Sequence, residues 1–289
     1  MPLISAQRWN RIGDWVWSAL LPMLYFIIRL FPARRASDLG ERLGLRFGRA
    51  RSPLSTLAAL DNLRRIRPDY SEAQREEAVR KMWGQIGRVQ SETVVIDRIW
   101  DSGAVTVRDG DIIGRALRSK RPAIFVFPHL GNWELLAILA QRQGAVVPSV
   151  YEILPDRREF ELVQRSRRRI GHKVIAPDRA GLISLVGALK RGEAVGLGID
   201  EYKRGNVIAP SFGRPPRKDT NARLVERLAR KFDALVVPTY CLRTAPFEFL
   251  LSVLEPLERP SAAQLDALCE SWIRAHPEQW YMLPRLRFE

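Results

Sequence analysis

The chain has 289 residues, enough to bury a core without disulfides or metals, and its 46% hydrophobic and 27% charged content excludes a disordered or collagen-like polymer. Lys and Arg number 47 against 32 Asp and Glu, a formal charge of +15, so its partners are expected to be anionic: nucleic acid, an anionic membrane surface or an acidic protein. Only seven of the cations are Lys, and the rest are Arg, whose planar fork suits phosphate and carboxylate.

The segment Trp15 to Ile28 is apolar and lies between Asp14 and Arg29. As a helix it reaches about 21 Å, short of a hydrocarbon core of about 30 Å. Arginines flank it on both sides, and Trp9, Trp15, Trp17 and Tyr25 suit a headgroup boundary. Three readings compete: a signal peptide, a buried core helix, or an interfacial helix with an arginine fringe and a kink at Pro22. Membrane attachment fits best, because Asp14 interrupts a signal peptide and no small-residue cleavage site follows.

Residues 55–67 and 71–100 then read as helices, the second opened by the capping signature Ser71-Glu-Ala-Gln74. Ala123-Ile-Phe-Val-Phe127 is a short apolar run of the kind that forms a strand buried on both faces. Helices are expected at 135–141, 160–170, 182–191, 221–231 and 262–275, and strands at 145–150, 173–175, 194–199, 234–240 and 247–254. Alternating strands and helices define an α/β fold, a mostly parallel mixed sheet flanked by helices. The expected organisation is a membrane-associating helical segment over 1–45 and one α/β domain over 46–289, with a helical lead-in to about 105. Cys241 and Cys269 form neither a metal-ligand spacing nor a disulfide framework, so a reducing compartment is the default.

The chain has three histidines, His129, His172 and His276. His129 directly follows the buried strand, where ligands bind in open α/β sheets. In Phe127-Pro-His-Leu-Gly-Asn-Trp-Glu134, Gly131 permits a tight turn, Asn132 can cap the next helix, and Glu134 falls in its first turn. The spacing brings a carboxylate toward the imidazole, so that the ring can remove a proton from an alcohol. A histidine satisfied by a cap or backbone bond is the competing structural reading. No G-x-S-x-G motif is present and neither Cys has a neighbouring His, which favours direct attack by a substrate hydroxyl.

The stretch from Phe127 to Leu135 resembles the H-x4-D/E motif of glycerolipid acyltransferases, and its Gly-Asn-Trp-Glu filling is similar to that of the bacterial lipid A late acyltransferases. The resemblance continues through the helix with Glu92, through Asp200 and Pro210-Ser-Phe-Gly-Arg-Pro215, and through Ala234–Pro238 and His276-Pro-Glu-Gln-Trp280. It implies acyl transfer from an acyl carrier protein or CoA thioester to a hydroxyl of a membrane glycolipid such as a lipid A precursor. The site would be at the cytoplasmic face of the inner membrane, with no metal or redox cofactor. It implies that His129 is the general base and Glu134 its partner. It also implies a pocket arginine, Arg167 or Arg169, with Asp200 supporting the pocket, and Gly131 and Asn132 are expected near the substrate. Oxyanion donors are expected from the backbone near Gly131 or from an arginine.

Two segments depart from the family pattern, Pro216–Ala222 and Tyr281-Met-Leu-Pro-Arg285, where Pro284 replaces a histidine. They bear on donor and acceptor more than on chemistry. A related family acylates mannosylated phosphoinositides with the same dyad, and a lysophospholipid acceptor or a membrane-bound hydrolase are further alternatives. Nucleic-acid binding is not expected, because the positive charge is scattered and no recognition motif accompanies it.

Overall fold

The computed structural model describes residues 20–150, 157–200, 202–203, 206–215 and 217–288. The start of the apolar segment, with Trp9, Trp15 and Trp17, lies outside these residues, as does Pro216. The helices are α1 (the helical residues 20–30), α2 (Ala33–Arg51), α3 (Pro53–Ile66), α4 (Glu72–Val94), α5 (Ile96–Ile99), α6 (Asp111–Arg118), α7 (Leu135–Arg142), α8 (Arg157–Arg169), α9 (Arg179–Lys190), α10 (Asn221–Phe232) and α11 (Ala262–Ala275). The strands are β1 (Val105–Arg108), β2 (Ala123–Phe127), β3 (Ser149–Val150), β4 (Val174–Ile175), β5 (Ala194–Gly198), β6 (Tyr202–Lys203), β7 (Asn206–Val207), β8 (Leu235–Ala245), β9 (Glu248–Val253) and β10 (Leu257–Glu258).

Strand β2 is central. The eight-stranded sheet runs β1-β9-β8-β2-β5-β3-β4, with β10 paired to β8. β2 is parallel to both neighbours, and the antiparallel pairs are β8 with β9 and β8 with β10. The alternation of a strand sends Ile124 and Val126 into one apolar cluster and Ala123 and Phe125 into another, one on each face. The expected α/β class therefore holds, because a strand apolar on both faces demands helices on both.

Within the helical lead-in, α2 packs closely on α4. Gly40, Gly44 and Gly48 of α2 meet α4 at Trp83 and Gly87. A Cβ on Gly44 would come within 2.1 Å of the Trp83 carbonyl oxygen. Helix α4 opens as expected: the Ser71 hydroxyl accepts from the Gln74 amide and the Gln74 side chain accepts from the Ser71 amide.

Several elements differ from expectation. The expected strand at 145–150 reduces to Ser149–Val150, because Pro148 has no N–H and joins the sheet only through its carbonyl, which accepts from Gly196 at 2.8 Å. The helix expected over 71–100 breaks at Val95. β1, α6 and the β6–β7 hairpin are additional short elements. Among the described residues no helix is long and apolar enough to cross a membrane.

Candidate active site

The β2–β5 register pairs Phe127 with Gly198. Two residues beyond these positions stand His129 and Asp200, and the parallel strand ends set them side by side. His129 Nδ1 lies 2.8 Å from Asp200 Oδ1. Asp200 is fully buried, and its Oδ2 accepts the His129 backbone N–H at 2.7 Å and the Trp280 indole N–H at 2.8 Å. An ionised carboxylate only accepts, which assigns the ring proton to Nδ1 and leaves the lone pair on Nε2. The Asn221 side-chain amide holds the end of β5 by donating to the Gly198 carbonyl at 2.8 Å.

The carboxylate that orients the ring is thus Asp200 and not Glu134. Glu134 occupies the N-cap position of α7, and its carboxylate is taken by Arg167 of α8, with Nη2 at 2.5 Å and Nε at 3.1 Å. His172 Nδ1 stands 3.7 Å from the second Glu134 oxygen, and neither nitrogen of its buried ring has a hydrogen-bond partner. Burial alone would raise the Glu134 carboxyl, but the Arg167 charge, the nearby His172 and the Arg167 hydrogen bonds overcome it and hold the group well below the usual carboxylate range.

Arg167 and Arg169 are equivalent in the sequence pattern, and the structure places them differently. Arg167 lines the cavity, whereas Arg169 is exposed in the field of Arg29, Arg165 and Arg98. Gly131 has a left-handed φ of 55°, and a Cβ there would meet the Cys241 carbonyl oxygen at 2.7 Å, so the turn requires glycine. Its N–H donates to the Gln279 carbonyl at 3.3 Å. Asn132 does not cap α7. It is fully buried, and its side-chain amide donates to Glu92 Oε2 at 2.9 Å.

That contact belongs to a buried polar network that fixes the loop from below. The Glu92 carboxylate also accepts from Ser37 of α2 at 2.6 Å and from Arg243 of β8 at 2.8 Å. Gln85 donates to the Gly131 carbonyl at 3.0 Å and accepts from Arg243 Nε at 2.7 Å. The closing segment acts from above. The Tyr281 amide donates to the His129 carbonyl at 3.0 Å, and Trp280, which donates to Asp200, packs on Phe212 with ring centroids 5.7 Å apart. The blocks around Glu92, Phe212 and Trp280 therefore converge on one loop. Glu201 lies outside the described residues. Cys241 and Cys269 are buried, and burial pushes the Cys241 thiol up to about 12, so it is not a thiolate nucleophile at neutral pH.

His129 opens into a cavity of about 700 Å³. Phe125, Phe127, Leu139, Ala140, Val147 and Leu185 form much of its apolar wall, and Glu134, Arg167, His172 and Asp200 contribute polar groups. Gly196 and Gly198 line it on β5. A Cβ on Gly196 would meet Ser149 Oγ at 2.5 Å, and one on Gly198 would meet His129 Cε1 at 3.1 Å.

A histidine oriented by a buried carboxylate, above an apolar cavity, equips the site for proton removal next to a long apolar substrate. The chain belongs to the bacterial lipid A biosynthesis acyltransferase family, whose model matches residues 7–288, and it is accordingly a member of an acyltransferase family. It is similar to the lipid A biosynthesis palmitoleoyltransferase of Escherichia coli (strain K12), at 27% identity over 261 residues covering 84% of this chain and 83% of that protein. It is also similar to the phosphatidylinositol mannoside acyltransferase of Mycobacterium tuberculosis, at 24% identity over 299 residues covering 96% of this chain and 88% of that protein.

Proposed function

We propose that the protein transfers a fatty acyl chain from an acyl carrier protein or CoA thioester to a hydroxyl of a membrane glycolipid, a lipid A precursor in the first instance. The observation that carries this reading is the His129–Asp200 pair at the mouth of the apolar cavity. Asp200 holds the ring in the tautomer whose Nε2 accepts the proton of the acceptor hydroxyl. The oxygen attacks the thioester carbon, and a C–O bond forms. The C–S bond then breaks, and the thiolate takes the proton back from the imidazolium. Arg167, fixed by Glu134, supplies positive charge within the same cavity for an acceptor phosphate or the developing oxyanion. The apolar wall receives the acyl chain, each buried methylene contributing about 0.8 kcal/mol. The Gly131 N–H is bonded to the Gln279 carbonyl and is not an oxyanion donor in this mechanism.

Helix α1 attaches the protein to the cytoplasmic face of the inner membrane. Its outward positions Leu20, Met23, Phe26, Ile27 and Leu30 follow helical spacing and are exposed, while Leu21 and Ile28 are buried. A phosphatidylinositol mannoside acceptor is the second reading, favoured by the mycobacterial relative's coverage of 96% of this chain.

The test is a paired assay of wild type and His129→Ala in detergent. Each receives labelled acyl carrier protein and an under-acylated lipid A precursor, and product is read by mass spectrometry. Wild type is expected to add one acyl chain and His129→Ala to fall by at least about 100-fold. Equal rates would remove His129 from the mechanism. Failure of wild type on this acceptor, with transfer to a phosphatidylinositol mannoside, would select the second reading.

A further inference from the structure

Helix α2 has two unlike edges. Ala33, Ser37, Gly40, Gly44 and Gly48 form one edge and press on the helices behind it. At 3.6 residues per turn, Arg35, Arg42, Arg46 and Arg49 fall within about 60° of one another on the opposite edge. All four are exposed, in a row about 21 Å long. The stretch from Arg42 to Leu60 contains no Asp or Glu. The one carboxylate that answers the row across a long sequence gap is Glu76 of α4, which pairs with Arg49 among the described residues.

At the far end of this row the chain turns through Ser52-Pro53 into α3 and presents Leu54 at 81% and Leu57 at 62% exposure. Leu45 and Phe47 in the last turns of α2 are also exposed, on nearly opposite sides of that helix. Leu54 and Leu57, three residues apart in the first turns of α3, share one exposed face, and such an apolar patch marks an interaction surface. The near end of α2 adjoins α1, whose outward face is also apolar.

We propose that the α2–α3 corner is a second membrane foot and that α2 lies flat on an anionic bilayer, with its arginine row on lipid phosphates and an apolar foot at each end. An acidic protein would be recognised by the arginine row alone. Apolar groups at both ends of a basic bar match a surface with negative charge over a hydrocarbon interior. The inference builds on the proposed membrane attachment through α1 and adds to it a site that α1 does not contain. Two feet also fix the direction in which the molecule faces the membrane, which one foot leaves free to rotate.

The experiment measures sedimentation of the full-length protein with vesicles of phosphatidylcholine alone and of phosphatidylcholine with phosphatidylglycerol. The variants are Leu54→Glu/Leu57→Glu, Arg42→Gln/Arg46→Gln and, separately, Phe26→Glu/Leu30→Glu in α1. The corner variant is expected to weaken binding to both vesicles at least tenfold. The arginine variant is expected to lose about fivefold per removed charge on anionic vesicles only. Both should keep the wild-type melting temperature and activity in detergent. If only the α1 variant loses binding, the second foot is refuted while attachment through α1 stands. If wild type binds no vesicle, both are refuted. Unchanged vesicle binding with lost binding to acyl carrier protein would reassign the corner to that protein and overturn the proposal.

Discussion

Asp200 receives three donors on two oxygens: the imidazole Nδ1–H, the His129 amide and the Trp280 indole. Asp200→Asn keeps the volume but offers an amide that can donate to Nδ1 and move the ring proton to Nε2. Steady-state kinetics should then show kcat reduced about 100-fold or more with little change in KM. An unchanged kcat would remove Asp200 from the mechanism. Glu134 makes a different prediction. Its folded pKa is depressed, so its contribution to stability is present above the ordinary carboxylate pKa of about 4.3 and is lost as pH falls toward the folded value. Glu134→Gln should cost about 3 kcal/mol at pH 7 because it removes the negative charge that Arg167 faces in a mostly buried site. The gap between variant and wild type in urea unfolding should narrow as pH falls from about 5 toward 2. His129 and the turn glycine were legible because they sit in one short stretch after an apolar run. The partner of His129 was not, because Asp200 is 71 residues away and becomes a neighbour only through the β2–β5 pairing. The partner of Glu134 likewise arrives from α8, an element whose docking no local pattern encodes.

At the level of elements, the α2–α4 contact is the point most sensitive to added volume. A Cβ on Gly87 would stand 2.1 Å from the Gly40 carbonyl oxygen, so Gly87→Ala must separate two backbones. The expected cost is about 1–3 kcal/mol, read as a shift of the urea midpoint. Because α4 also carries Gln85 and Glu92, specific activity of the folded fraction should fall with it. Retained activity at reduced stability would show that the two helices can part without disturbing the loop. The same packing explains why α2 does not stand out as a separate helix within the expected helical lead-in: its glycines and arginines lack an apolar stripe, and its inward edge works through close approach. β2, α4, α10 and α11 were legible because their apolar periodicity or caps are local. The apolar run over 145–150 is longer than β3, because Pro148 removes a ladder donor that the run does not reveal.

For the whole molecule, the charge of +15 is a matter of association rather than fold. Binding to anionic vesicles should weaken as salt rises from about 0.1 M, where the screening length is about 10 Å, toward 1 M. His129→Ala should follow the wild-type salt curve, since its change is confined to the loop after β2. A different curve for that variant would mean that the loop itself touches the bilayer. The parallel pairing of β2 with β5 has a further consequence. His129 and Asp200 stand just beyond strands joined by a crossover that includes β3, β4 and three helices, so their contact spans 71 residues of chain. Such contacts bring a large loop-closure entropy and form late. Helical content should therefore return during refolding before turnover does, and activity reports assembly of the sheet as much as it reports chemistry. In a mutant library screened by product alone, substitutions that slow strand pairing will be scored beside substitutions that remove the proposed base.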